Sequence, residues 1–324
     1  MGRGLTDMSE RQDTLARVAS MYYEQNRNQD EIAREIGVSR STVSRALQEA
    51  RESGVVEITV HYPWKRVPSL EGELIQSFDL KDVRVLAACP RGQSEVLRGL
   101  GVLAGRYLEG VLFDGAVLCI SWGAAVHSTV RALHPNHSLS VTVVQMVGAV
   151  GTGDPLIDGP DLARLLASVY DGESRYLHAP LIVEDSDVRR VLMQEPRIAD
   201  TLKLGRTADI ALVGIGAPDA AVSSLLRAGY VSERELEDLR AHGAVGDICA
   251  RHYDVGGRSL DLDLDRRIVG IDLDDLHGIG CVIGVAGGAA KARAILGALC
   301  GRHVDVMVTD EYAASEVLSL NNGV

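Results

Sequence analysis

The chain has 324 residues, of which 46% are hydrophobic and 24% are charged, and its formal net charge is −12. This composition is that of a folded globular protein and excludes a disordered chain, and the length favours two domains or one large domain with an appendage. The chain has 45 Asp and Glu against 33 Lys and Arg, which argues against a protein that binds nucleic acid or an anionic membrane with its whole surface. A single DNA-binding segment is still compatible with this charge.

The first segment, residues 1–62, has the pattern of three helices followed by a strand. An amphipathic helix is predicted from about Arg11 to Gln25, and a helix of about two turns follows, begun by a capping box of Asn28 and Glu31. Gly37 permits the left-handed backbone that ends this second helix. The pattern therefore predicts a tight corner before the third helix.

The third predicted helix, Arg40–Ala50, follows Ser39 as N-cap and has two distinct faces. Its apolar residues share one arc, and the opposite arc is basic, rich in hydroxyls and free of carboxylates. This arrangement is typical of the helix-turn-helix motif, whose last helix enters the DNA major groove. The alternative is an ordinary helical hairpin with a solvated charged face. The predicted DNA contacts are Arg40, Ser41, Thr42, Ser44 and Arg45.

A run rich in β-branched residues, VVEITVHYP, follows the helices and predicts a strand that closes a wing. His61, Tyr62 and Lys65 are candidates for contacts with the DNA backbone, although a lone His or Tyr after a strand is more often packed or solvent-facing. The proline-containing segment PWKRVPS is typical of a linker. The predicted division is a winged helix-turn-helix domain over 1–62, a linker over 63–69 and an effector-binding domain over 70–324.

From residue 70 onward, strand-like apolar runs alternate with helical segments. The runs are DVRVLAA, GAVLCISWG, VTVVQMVGAV, IALVGIG, GCVIGVAGG and VDVMVTD. Such alternation predicts an α/β domain with a mostly parallel sheet wrapped by helices. Several runs end in glycine, namely Gly123, Gly148, Gly216 and Gly287, as expected where ligands approach the carboxyl edge of the strands. We therefore predict a binding crevice at that edge.

Other kinds of site are not indicated. The five cysteines are odd in number and form no C-x-x-C pair, which suits a reducing cytoplasm. The sequence has no run of about 18 apolar residues and no secretory signal, so we expect a cytoplasmic protein without a membrane partner. GIGAP lacks the third glycine of a dinucleotide fingerprint, and His134 and His137 have no obvious further ligand, so we expect no cofactor and no metal.

Six segments follow one another along the chain: DEIAREIGVSRSTVSRAL, ISWGAAV, VGIGAP, GDICARHYDVGG, VAGGAAKARAILGAL and VTDEYAA. In this order they resemble the SorC family of sugar-binding transcriptional regulators, also described as DeoR-like. The resemblance implies a large domain similar to glucosamine-6-phosphate deaminase and ribose-5-phosphate isomerase, without their activity and with a phosphorylated sugar or related metabolite as effector. It also implies a dimer or tetramer, which would let paired readers engage half-sites of operator DNA.

Ser121–Val126 lies between a predicted strand and a predicted helix, so backbone N–H groups at the helix start could hold a phosphate; the alternative is a plain strand-to-helix turn. The resemblance favours the anion site, but family members commonly carry Thr or Ser where this chain has Ala124 and Ala125. Each absent charge-assisted bond is worth about 1.5–3 kcal/mol. An unphosphorylated sugar or polyol is therefore a second possible effector, unless Ser128 compensates.

Lys291 corresponds to a lysine that reaches phosphate in the family, which favours an anionic effector over a solvent-facing role. Asp247 matches a position whose carboxylate accepts hydrogen bonds from sugar hydroxyls; an N-cap or loop aspartate is the ordinary alternative. The two alanines and Lys291 point to different effectors, and both possibilities stay open. The predicted effector contacts are Ser121, Gly123, Ala124, Ala125, Gln145, Gly148, Gly216, Asp247, Gly288 and Lys291.

The principal hypothesis is a DNA-binding regulator of carbohydrate metabolism, not an enzyme, whose operator affinity responds to a sugar, polyol or sugar phosphate. An active phosphosugar isomerase or deaminase with a helical appendage is the first alternative. It needs a general base and an acid partner, for which Asp247, Glu184 and Asp274 are candidates, although no spacing singles out a pair. The second alternative is a helical interaction module on a sugar-binding scaffold without DNA contact.

Overall fold

The structure is a computed structural model that describes residues 3–25, 27–56, 64–88, 92–135, 138–151 and 158–323. The chain forms two compact units, Met1–Pro63 and Trp64–Val324. Among the described residues, no helix combines the length and the apolar character that a membrane span requires.

The described part of the first unit contains the helices α1 (Arg3–Tyr23), α2 (Gln29–Ile36) and α3 (Arg40–Glu52). All three helices contribute apolar side chains to one small core. Its buried members include Leu15, Val18, Ile32, Val43 and Leu47. The helical spacing of these residues is what the sequence predicted for amphipathic helices packed around a common centre.

The corner between α2 and α3 is built by local hydrogen bonds. The Asn28 side chain accepts from the N–H of Glu31 at 2.9 Å, and the Glu31 carboxylate accepts from the N–H of Asn28 at 3.0 Å. Gly37 ends α2 with φ +72°, and the Ser39 hydroxyl accepts from the N–H of Thr42 at 3.2 Å. The predicted capping box, glycine corner and N-cap are therefore confirmed.

The predicted wing strand lies mostly outside the described residues, because 57–63 are not described. His61 and Tyr62 fall within that range. Val56 lies against the core of the first unit, and Lys65 is exposed in the second unit. The wing and its contacts with the DNA backbone stay a prediction.

The segment predicted as a linker, 63–69, belongs almost entirely to the second unit, which starts at Trp64. Arg66 forms an antiparallel bridge with Leu86, and Pro68 is the first residue of a helix. The prolines that suggested a linker instead suit an edge segment and a helix start, where a missing N–H costs nothing.

The helices of the second unit are α4 (Pro68–Phe78), α5 (Gln93–Val111), α6 (Ala124–Arg131), α7 (Gly159–Val169), α8 (Ser186–Met193), α9 (Pro196–Arg206), α10 (Ser224–Arg227), α11 (Glu233–Ala241), α12 (Ala292–Cys300) and α13 (Glu311–Asn322). Its strands are β1 (Asp82–Leu86), β2 (Val117–Ile120), β3 (Thr142–Gln145), β4 (Glu173–Arg175), β5 (Ile210–Gly214), β6 (Gly246–Ile248), β7 (Arg251–Tyr253), β8 (Cys281–Val285) and β9 (Val306–Asp310). Short 3-10 turns cover Asp265–Arg267, Leu273–Gly278 and Ala289–Lys291.

Seven strands form one sheet in the order β1-β9-β8-β5-β2-β3-β4, and every neighbouring pair is parallel. The predicted mostly parallel α/β sheet is therefore confirmed, and each of the six predicted runs contains one of its strands. The strands β6 and β7 form a separate antiparallel hairpin. This hairpin carries the segment GDICARHYD.

Alternate residues of the central strands enter two different hydrophobic cores. Cys119 of β2 and Val213 of β5 belong to one core, whereas Leu118 and Leu212 belong to the other. Because both faces of the sheet are covered, its strands consist of near-continuous apolar runs instead of alternating ones.

The order of the strands contains a reversal between β2 and β5. The strands β3 and β4 follow β2 on one side, whereas β8 and β9 follow β5 on the other. In open α/β sheets, ligands bind outside the carboxyl ends of the strands at such a switch point. The fold thus places the expected crevice after β2 and β5.

Candidate functional site

The helix α3 presents the predicted DNA-contact side chains to solvent. Val43, Leu47 and Ala50 are buried in the core of the first unit. The five side chains of the opposite face are exposed: Arg40, Ser41, Thr42, Ser44 and Arg45. The basic face is therefore accessible within its own unit.

Acidic groups near this face are engaged by arginines. Glu49 of α3 is paired with Arg11, whose Nε donates to Oε1 of that carboxylate at 3.0 Å. The Arg40 guanidinium lies 4.0 Å from a carboxylate oxygen of Asp30, and both groups are exposed. An exposed pair of this length contributes little free energy, so Arg40 can readily exchange that carboxylate for a phosphate.

A cavity of about 710 Å³ opens at the carboxyl ends of β2, β5, β8 and β9 in the second unit. Eight of the ten predicted effector contacts line it. They are Ser121, Gly123, Ala124, Ala125, Gly216, Asp247, Gly288 and Lys291. The cavity lies at the switch point of the sheet, where the strand order predicts a ligand.

Three helical segments begin at the cavity with glycines in nearly the same unusual backbone conformation. Gly92, Gly123 and Gly288 have φ of +95°, +107° and +91°; among the described residues no side-chain cap bond forms at Gly92 and Gly123, whereas the N–H of Gly288 donates to the Asp310 carboxylate. By contrast, α10 and α13 begin at Ser223 and Asp310, whose side chains accept N–H groups of their own helices. Uncapped N–H groups at a helix start attract anions, because they carry partial positive charge.

Asp247 reaches the cavity from β6 and lies against the end of β5. Gly216 donates its N–H to the Asp247 carbonyl at 2.8 Å and accepts the Asp247 N–H at 3.2 Å. A Cβ at position 216 would lie 2.1 Å from Oδ1 of Asp247. Glycine is therefore required at position 216 for the Asp247 carboxylate to lie where it does.

Burial raises the pKa of Asp247, and the positive groups His252 and Lys291 oppose that rise. The Lys291 ammonium donates to the carbonyl of Ile215 at 2.7 Å. Burial lowers the pKa of Lys291, and the nearby Asp247 carboxylate opposes this. The cavity thus places a cation and a hydrogen-bond acceptor of opposite charge near one another, which suits a polyol with an anionic group.

Of the two nearby hydroxyls, Ser128 has its donor engaged, whereas Ser121 acts only as an acceptor among the described residues and keeps its O–H donor. Ser121 accepts from the N–H of Gly214 at 3.2 Å, and Ser128 donates to the carbonyl of Leu97 at 2.9 Å. The donors of this segment toward an anion are therefore its backbone N–H groups and the Ser121 hydroxyl.

Gln145 and Gly148 do not line the cavity. Gln145 is fully buried, donates to the Val147 carbonyl at 2.6 Å and accepts from the N–H of Leu177 at 3.1 Å. A Cβ at Gly148 would lie 2.2 Å from the carbonyl oxygen of Pro180. The two residues lie at and beyond the end of β3, which is one strand away from the switch point, and they hold the neighbouring loops together.

Several cavity residues were not predicted from the sequence. They include Gln93, Trp122, Arg227, Cys249, Asp310 and Tyr312. Arg227 is a second cation of the cavity, and it donates to the Ser224 hydroxyl at 3.1 Å. Burial raises the pKa of the Cys249 thiol to about 12, so this group is a neutral part of the wall. No pattern near Arg227 marks it, although the N-cap signature of Asp310 before α13 was visible in VTDEYAA.

Asp310 holds one wall of the cavity in place. Its carboxylate accepts the N–H groups of Tyr312 at 3.0 Å and Ala313 at 3.1 Å, and it also accepts from Gly288. With three donors satisfied, this buried carboxylate has little remaining capacity for a ligand.

The other candidates for acid and base chemistry lie elsewhere. Glu184 does not line the cavity, and Asp274 lines a different one. The described residues contain no group of His, Cys, Asp and Glu side chains arranged to hold a metal ion. Of the three acid and base candidates, Asp247 alone lines this cavity.

Comparisons with known proteins agree with this architecture. A family model described as a putative sugar-binding domain matches residues 62–319, and one described as sigma-70 region 4 matches residues 9–53. The chain is 30% identical to the deoxyribonucleoside regulator of Bacillus subtilis, covering 96% of this chain and 98% of that protein. It is 32% identical to the sorbitol operon regulator of Klebsiella pneumoniae, covering 94% and 97%.

The crystal structure of the full-length sorbitol operon regulator SorC from Klebsiella pneumoniae superimposes with a TM-score of 0.73 over 94% of this chain and 98% of that chain. The implied similarity to glucosamine-6-phosphate deaminase and ribose-5-phosphate isomerase stays a prediction. The helix-turn-helix, the sugar-binding domain and the match along nearly the whole chain lead to one conclusion. The chain belongs to the SorC family of DNA-binding, sugar-binding transcriptional regulators.

Proposed function

We propose that this regulator binds an anionic carbohydrate or polyol in the cavity of the second unit and that binding changes its affinity for operator DNA. The observation that carries the proposal is the meeting of two helix starts without a side-chain cap among the described residues, at Gly92 and Gly123, with Asp247 and Lys291 in one cavity. Relatives are named for a sorbitol operon and for deoxyribonucleosides, which supports a small hydroxylated metabolite as effector.

Each part of such an effector has a partner in the cavity. The backbone N–H groups at the start of α6, after Gly123, together with Lys291 and Arg227, suit an anionic group. The Asp247 carboxylate suits the hydroxyls, because it accepts hydrogen bonds and has no donor when ionised. Trp122 provides an apolar surface for the carbon skeleton. A phosphate and a carboxylate are both compatible with these donors.

The reader in this proposal is α3. Arg40, Ser41 and Thr42 lie at its start and Ser44 and Arg45 one turn further, which is the part of a recognition helix that contacts base edges and phosphates. We propose that the protein acts in the cytoplasm as a dimer or tetramer, so that two readers engage two half-sites. Light scattering coupled to size exclusion tests the oligomer, and a monomer in solution would contradict it.

A thermal-shift panel tests the effector. The compounds are D-sorbitol, 2-deoxy-D-ribose, the phosphate esters of both, and inorganic phosphate. A ligand of the folded state stabilises it by RT ln(1 + [L]/Kd), which is about 2.7 kcal/mol at 100 times Kd. We expect the esters to raise Tm more than the parent compounds. If the phosphate esters and the parent compounds raise Tm equally, the proposal of an anionic effector is wrong. If no compound raises Tm, the proposal of a carbohydrate or polyol effector is wrong.

Binding of DNA is tested separately by fluorescence anisotropy with a duplex selected from random sequence by the protein. If the protein selects no duplex, the proposal that α3 binds DNA is wrong. We propose that the regulator has no turnover, because three N–H groups already occupy the Asp310 carboxylate and Asp247 is the other carboxylate among the described residues of the cavity. Conversion of either phosphate ester during incubation would favour the isomerase or deaminase instead.

A further inference from the structure

Trp64, the first residue of the second unit, packs on the helix α5. A Cβ at Gly99 of α5 would lie 2.9 Å from Cε3 of Trp64 and 2.7 Å from Cδ2 of Leu86. The guanidinium carbon of Arg98 lies 5.6 Å from the centre of the indole ring. The indole is therefore in direct contact with α5 at two successive residues, and a glycine lets it approach the helix backbone.

Residues 64–67 extend along the edge strand β1. Val67 donates its N–H to the Val85 carbonyl at 3.0 Å, and Arg66 forms a bridge with Leu86. Ala87 also donates its N–H to the Lys65 carbonyl at 2.9 Å, and Arg66 pairs with the Glu71 carboxylate of α4, so the segment moves together with β1 and α4. The first unit is joined covalently to this segment.

The cavity is lined by the same part of α5. Leu97 and Leu100 both face it, and the residues in contact with Trp64, Arg98 and Gly99, lie between them. A hydrogen-bonded helix turn moves as one body, so a displacement of α5 by a ligand at Leu97 reaches Trp64 within the same turn. The cavity and the start of the second unit thus share one structural element.

We propose that α5 transmits occupancy of the cavity to the DNA-reading unit through the contact between Gly99 and Trp64. The proposal rests on the proposed function, since it explains how effector and operator are coupled. A ligand against Leu97 and Leu100 favours one position of α5, and Trp64 carries that preference to residues 64–67. Such a difference in affinity between two arrangements is what a population shift requires. Trp64 and Gly99 are then positioning residues that touch neither ligand.

The first test compares Trp64→Leu with Tyr107→Leu. Tyr107 is the control because it is an aromatic residue of α5 itself, with the guanidinium carbon of Arg84 5.5 Å from its ring centre, and it does not line the cavity. Dissociation constants for the selected duplex are measured at fixed salt, and Tm is recorded for each variant. We expect Trp64→Leu to change Kd about fivefold or more and Tyr107→Leu to leave it unchanged. Equal Kd values for both variants would overturn the proposal.

A double-mutant cycle tests the link to the cavity. Leu97→Ala is expected to change the DNA Kd when Trp64 is present and to have no further effect in the Trp64→Leu background. Additive effects would overturn the coupling. If Trp64→Leu does not fold, Trp64→Phe and Gly99→Ala perturb the same contact, with Gly105→Ala as the control on α5. If the wild-type protein selects no duplex, the proposed function itself is wrong. This outcome differs from the results above, which concern only the coupling through α5.

Discussion

Gly216→Ala tests whether the cavity depends on the position of the Asp247 carboxylate. The added Cβ would lie 2.1 Å from Oδ1 and 2.8 Å from Oδ2 of Asp247. The two residues exchange backbone hydrogen bonds, so the carboxylate must move, or the bonds must lengthen. Overpacking of this kind costs about 1–3 kcal/mol of stability. Losing a hydrogen bond to a charged acceptor costs about 1.5–3 kcal/mol, which weakens effector binding roughly 10- to 150-fold.

Thermal unfolding of the ligand-free protein measures the first effect, at about 2–4 °C per kcal/mol for a domain of this size. Calorimetric titration with the phosphate ester that gives the largest thermal shift measures the second. Gly110→Ala is the control, because a Cβ at position 110 of α5 meets nothing within 4 Å. It is expected to leave binding unchanged and to stabilise by up to about 1 kcal/mol. A folded Gly216→Ala variant with wild-type affinity would refute the role of Asp247.

Three other variants, the first with two substitutions, have defined outcomes. Replacing Arg40 and Arg45 by alanine is expected to weaken operator binding at fixed salt. The slope of log Kd against log salt should fall by about 1 for each phosphate that the protein no longer neutralises. An unchanged slope in anisotropy titrations would contradict this. Asp310→Ala removes an N-cap and a buried acceptor, so urea unfolding should show a decrease in stability of about 1–3 kcal/mol, and a wild-type midpoint would contradict it. Burial lowers the pKa of His252, but its hydrogen bond with Asp265 and nearby carboxylates raise it overall above the ordinary 6.5. The stability that this pair contributes is present below pH 6.5 and is lost as the pH rises through the raised pKa of His252. His252→Gln should therefore flatten the dependence of the free energy of unfolding on pH above pH 6.5. A pH profile identical to that of the wild type would contradict this role of His252.

Many elements could be predicted because their signals are local. The capping box at Asn28, the corner at Gly37 and the N-cap at Ser39 depend on residues within four positions of one another. The parallel sheet was predicted for a similar reason, since burial on both faces leaves near-continuous apolar runs in the sequence. The glycines after β2 and β8 also lie in such runs, so two walls of the cavity were predicted with them.

The sequence by itself predicted six of the seven strands of the main sheet, the three helices of the first unit and a crevice at the carboxyl edge of the strands. Only the tertiary structure decided which strands meet at the switch point, and therefore that Gln145 serves packing whereas Trp122 and Arg227 reach the cavity. The same holds for Gly216 and Asp247, which come together because a separate hairpin lies against the end of β5. Strand order and hairpin docking depend on contacts between residues far apart in the chain, and periodicity along the chain does not encode which distant partner a strand meets.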